Sequence, residues 1–176
     1  MSTIKVNNIQ NTSGQQIGGR VIQVQATKTT ANTQTTTAAG FTAMSVSITP
    51  RSSSNKILVM ASLAGWSGDD STAYLEYSIG GGAFQKNTEL NGVGTYGGFG
   101  DHSWSHRSNQ GPCVNSVQIE FSPNTTSQVT VRVRATSENG NNGGFYLNAA
   151  SMPTSPGGDY NSASAISSLV LFEIGA

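Results

Sequence analysis

The chain has 176 residues with nine basic and nine acidic side chains, so its formal net charge is zero. The nine basic residues are spread from Lys5 to Arg134 without a cluster, which argues against binding by phosphate neutralisation or by attraction to an anionic bilayer. Its one cysteine, Cys113, excludes an intrachain disulfide and a multi-cysteine zinc site, and the length suffices for one domain to bury a core without either.

The first nineteen residues (MSTIKVNNIQNTSGQQIGG) carry three apolar side chains, Ile4, Val6 and Ile9, among Asn, Gln, Ser and Thr. Three such residues can grip a groove but cannot build a core. The segment lacks a basic stretch followed by an apolar run, so it reads as an extended docking arm and not as a signal peptide. Fully extended it would reach roughly 60 Å. Residues 20–176 read as one domain. Residues 20–28 form the first expected strand, with Ile22, Val24 and Ala26 on one face, and a Thr-rich stretch follows as an edge strand or extended crossing. Residues 41–49 alternate Met44, Val46 and Ile48 against Ser45, Ser47 and Thr49. Residues 50–55 (PRSSSN) are a turn. Residues 56–64 (KILVMASLA) are apolar on both sides, as a central strand covered twice would be.

Residues 73–79 run into three glycines, with 83–85 returning as a hairpin. Residues 115–121 set Val117, Ile119 and Phe121 against Gln118 and Glu120, and residues 128–135 set Val129, Val131 and Val133 against Thr130, Arg132 and Arg134. A short strand near 145–148 precedes a last one at 168–174, again apolar on both sides. No amphipathic helix and no apolar run of membrane-spanning length is present. The expected fold is all-β, a Greek-key or jelly-roll β-sandwich with an extended N-terminal arm, because the long links at 86–112 and 137–167 favour crossings between sheets over a plain meander. Charged residues make up 10 % of the chain, against about 25 % in an average domain. With so few charges and two strands apolar on both sides, self-association is the expected way to cover edges and outer faces; a homotrimer is the expectation by analogy with other jelly rolls.

The opening Ser2, Thr3, Ile4, Lys5, Val6, Ile9, Gln10 and Gly14 follow an S-T-I-K-V-x-x-I-Q-x-x-x-G pattern. This resembles the N-terminal segment of virion structural proteins from tailed phages of marine and freshwater bacteria, cyanophages among them. The stretches RVIQVQATKTT, SVSITPRSSSNKILVMASLAG and SLVLFEIGA are similar to the jelly-roll module of the same proteins. The resemblance covers both ends and the first third and fades over 86–167. It implies a virion location, synthesis in the host bacterial cytoplasm, and partners among other virion proteins of the tail or the major capsid.

Candidate chemistry concentrates in the two long links. His102 and His106 flank Trp104 in YGGFGDHSWSH. On a strand, residues four apart share a face but stand about 13 Å apart, so they could both ligate a metal within one chain only if the loop folded back or a helix formed, and Gly and Ser oppose a helix; polar packing is the plainer expectation, and a metal on a threefold axis, one His per chain, is the alternative. Asp69 and Asp70 lack calcium-loop spacing and read as turn residues. Phe145, Tyr146 and Tyr160 lie in a Gly-, Asn- and Ser-rich stretch that suits either host-surface glycans or a sister subunit. No carboxylate pair and no G-x-S-x-G motif stands out, so no catalytic residue, no metal and no cofactor is assigned and the protein is read as non-enzymatic. The expected role is a homotrimeric virion protein held by Ile4, Val6 and Ile9, a tail fibre or tail appendage with loops free for host-surface recognition. A capsid decoration protein and a soluble carbohydrate-binding module are the alternatives.

Overall fold

A computed structural model describes residues 20–35, 40–67, 71–86, 111–137, 145–149 and 165–176. The arm, His102, Trp104, His106 and Tyr160 lie outside the described residues. Nine strands occur among those described: β1 (Val21–Thr29), β2 (Thr33–Thr35), β3 (Phe41–Ile48), β4 (Lys56–Ser67), β5 (Ser71–Ile79), β6 (Gly111–Phe121), β7 (Val129–Ser137), β8 (Phe145–Leu147) and β9 (Ser167–Ile174).

They form two antiparallel sheets. In the smaller, β7 lies between β3 and β5. In the larger, β9 lies between β1 and β4, β6 pairs along the other side of β4, and β8 bridges the end of β4 to β2. From β2 onward each strand crosses to the opposite sheet until β8, and the last strand inserts beside the first. That wrapped order is a jelly-roll sandwich, as the sequence pattern predicted. The expected hairpin after β5 is present: Gly80 and Gly81 take φ of 58° and 77°, and Tyr77 and Gln85 exchange backbone hydrogen bonds of 3.1 and 2.9 Å.

The core lies between the inner faces. Ile57, Val59, Ala61 and Leu63 of β4 and Leu169 and Leu171 of β9 meet Met44 and Ile48 of β3, Ala73 and Leu75 of β5 and Val129, Val131 and Val133 of β7. The alternation expected for β3, β6 and β7 matches this packing, with Met44, Val46 and Ile48 opposite the three valines of β7 in register. Gly65 of β4 is a close-approach position, because a Cβ there would lie 2.5 Å from both the Phe145 ring and the Tyr146 carbonyl.

Two polar knots hold the large sheet together. Between β8 and β9 the row of strands beside β4 is broken, which would orphan the backbone of Ala64. Asn148 N donates to Ala64 O at 2.8 Å, and Ala64 N donates to Ser167 Oγ at 3.0 Å. Ser167 Oγ in turn donates to Asn148 Oδ1 at 2.7 Å, while Asn148 Nδ2 donates to the carbonyls of Thr29 and Ala31. Asn148 sits at φ 57°, a conformation Asn tolerates better than most residues.

The second knot surrounds Glu173, which is fully buried on the inner side of β9 near the rim. Its carboxylate accepts from Asn55 Nδ2 at 2.5 Å, Arg51 N at 2.6 Å and Gln23 Nε2 at 2.7 Å. Burial alone would raise its pKa. The hydrogen bonds from Asn55, Gln23 and the backbone N–H groups of Arg51 and Ser52 outweigh that and hold it below the ordinary 4.5. The turn at 50–55 therefore wraps a charge carried by the last strand.

Candidate interaction surface

In an antiparallel pair, residues directly opposite project to the same side. The register thus assigns the outer face of the large sheet row by row. Val24, Phe172, Leu58 and Glu120 form one row, and Ala26, Val170, Met60 and Gln118 the next. The sequence reading expected β4 and β9 to be central and covered on both sides. They are central, but Met60 is 39 % exposed and Val170 and Phe172 are half-buried, so the second side is not covered by a layer of the sandwich.

The first strand explains part of this. Val24 and Ala26, apolar and two apart, turn away from the core, because Gln23 lies opposite the buried Glu173 and sets the register of β1 after a bulge at Val21–Gln23. The core side of β1 is Gln23, Gln25, Thr27 and Thr29. Among the described residues the exposed large hydrophobic side chains are Val21, Val24, Met60, Val114 and Ile166. All five are in or beside the large sheet; the register places Val21, Val24, Met60 and Val114 on its outer face, and Ile166 directly precedes β9. Charge on this face is confined to its ends: Lys28 at one corner, and Lys56 paired to Glu120 at 2.6 Å at another. A shallow groove of about 320 Å³ runs past Met60, Ser62, Gln118, Val170 and Phe172. At the far end Trp66 and Tyr146 meet edge to face at 5.5 Å and, with Ala149, form a small buried cluster.

Two residues expected in a recognition loop take other places. Phe145 is fully buried in the main core and stacks on Phe41 with ring centroids 6.4 Å apart, so it cannot meet a glycan or a sister subunit. Tyr146 is buried against Trp66. Both lie on β8, whose pairing with β4 and β2 pulls the start of the Gly-rich stretch into the sandwich.

The described carboxylates stand apart and are each engaged. Glu76 pairs with Arg132, Glu120 with Lys56, and Glu173 with its ring of neutral donors. No group of three metal-ligating side chains occurs among the described residues. What this region offers chemically is apolar contact area bordered by hydroxyl and amide groups. Sequence reasoning missed its position because alternation shows that a strand has two unlike sides, and only the pairing register shows which side turns inward. A scan against protein-family models and a search of curated proteins returned no match.

Proposed function

We propose that this protein is a non-enzymatic structural component of a tailed-phage virion, homotrimeric, carried on the particle exterior and attached by its N-terminal arm. The observation that carries the reading is the outer face of the large sheet, where the apolar rows around Met60, Val170 and Phe172 are partly exposed and the described charges lie at the margins. A surface of that kind belongs in an assembly. The S-T-I-K-V-x-x-I-Q segment and the three jelly-roll stretches support the virion as that assembly.

The first role is a tail fibre or tail appendage, with the segments containing His102, Trp104, His106 and Tyr160 turned toward host-surface glycans. Capsid decoration is the alternative, since an arm followed by a sandwich suits docking on a shell equally well. Negative-stain microscopy of particles with an antibody against this chain tests the reading. Label confined to the tail supports the first role, and label spread over the head supports the second. Particles without label would remove the virion assignment. Deleting residues 1–19 is expected to release the protein from particles while leaving it folded; retention without the arm would show that Ile4, Val6 and Ile9 are not the anchors.

A further inference from the structure

We infer that the outer face of the large sheet, centred on Met60, Val170 and Phe172, is the surface through which copies of this chain meet. This rests on the virion reading only for its setting; the surface itself is argued from the fold.

Four of the five exposed large hydrophobic residues among those described share this one face, and the charges described on it, Lys28 and the Lys56–Glu120 pair, stand at its margins. A partner recognised by charge would find little to read at the centre of the face. A second copy brings the same neutral, apolar surface, and no rotation axis then sets strong like charges against each other. Three copies can turn this face inward around a threefold axis, so the apolar rows of each are covered by its neighbours, as a homotrimer requires. The area is of the right order. Four strands about 4.8 Å apart, over nine positions of about 3.3 Å, give roughly 570 Å² of footprint before side-chain relief, approaching the ~800 Å² per partner of a standard interface. Ser62, Ser116 and Gln118 border the apolar rows and supply the polar rim such interfaces carry.

Light scattering on the full chain tests this. The wild type is expected at a multiple of 18.3 kDa. Met60→Glu and Val24→Glu are expected at 18.3 kDa with an unchanged β-sheet circular dichroism spectrum. Thr42→Glu, on the outer side of the small sheet, is expected to stay assembled. A monomeric wild type, or Met60→Glu and Val24→Glu proteins that assemble like it, would overturn the inference, as would loss of assembly in Thr42→Glu alone. Peroxide oxidation of the wild type needs no variant. Met60 should be protected at high protein concentration and react at least several-fold faster on dilution, while the core residue Met44 stays slow at both; a Met60 rate independent of concentration counts against the interface. Antibody label on particles together with an assembly indifferent to Met60 would sink this interface and leave the virion reading standing.

Discussion

On the outer side of the small sheet, Arg132 pairs with Glu76 at 2.6 Å and lies over the Phe84 ring, and Lys86 lies over Tyr74. Ser47 and Thr130 share a hydrogen bond across β3 and β7. The large sheet reverses this arrangement. Its outer rows are Val24, Phe172 and Leu58, ending on Glu120 of the edge strand, then Ala26, Val170 and Met60, ending on Gln118, and a second carboxylate, Glu173, is on the inside. Both sheets contribute the same kind of aliphatic inner face, so the inversion is not needed to build the core. One outer face is polar at its centre and the other is apolar at its centre. Each outer face carries a described ion pair, Arg132–Glu76 on the central strand of one and Lys56–Glu120 at the edge of the other, so what differs is where charge stands relative to the apolar rows.

The contrast makes neighbouring residues unequal in a way that can be measured. The largest effect belongs to the inner side. Ile119→Asp would place an unpaired carboxylate against Val59 and the core, and is expected to cost several kcal/mol, about 4 or more. Gln118→Asp, one residue away and exposed, should change stability by less than about 0.5 kcal/mol. Equal melting temperatures for the two would show that β6 is paired in the wrong register. Next comes the inverted charge. Glu173→Ala leaves Asn55, Gln23 and two backbone N–H groups without their acceptor, each worth about 1–3 kcal/mol if left unsatisfied. Because the folded-state pKa of Glu173 lies below its ordinary 4.5, the stability it contributes is complete above that pH. It is lost as pH falls through the lowered folded value. Acid titration of the unfolding midpoint should therefore show a fall below pH 4.5 that is smaller in Glu173→Gln; parallel curves for the two proteins would assign the acid sensitivity elsewhere.

The reason these features were unevenly legible is physical. Strict alternation announced β3, β6 and β7, and aliphatic runs without alternation announced β4 and β9 as central, because local pattern and final packing agree there. The inner side of β1 was not legible. Its apolar residues face out, and what decides this is Gln23 meeting Glu173, 150 positions away. Glu173 itself sits in SLVLFEI like any solvent-facing acid, and its donors come from the turn at 50–55 and from β1. Two of the stretches that carry the family resemblance, SITPRSSSNK and LFEIG, thus meet at one corner, where the first supplies donors to the carboxylate of the second. They are the frame of the sandwich, which is why they point to a fold more clearly than to a role. The Asn148–Ser167 knot is hidden in the same way, since neither residue has a pattern until Ala64 leaves its backbone to be satisfied.

Smaller effects separate the two outer faces. Arg132→Ala removes a part-buried ion pair and the stacking on Phe84, and about 1–2 kcal/mol of stability is expected to go with them. Met60→Gln should do less to the isolated fold than any of these. Met60 is 39 % exposed on the outer side of β4, and Gln is close to it in length and unbranched, so the strand keeps its backbone pairing with Val170 and Gln118. Measured at a concentration low enough for monomers, the change in unfolding free energy should stay within about 0.5 kcal/mol. Measured where copies associate, the same substitution should lower the melting temperature, because an amide buried at an apolar contact without a partner is penalised while the exposed methionine is not. A concentration-dependent difference at Met60 with none at Arg132 would separate the contact face from the solvent face by thermodynamics alone. The opposite pattern, in which dilution matters at Arg132 and not at Met60, would mean that the ion-paired sheet is the one the assembly covers.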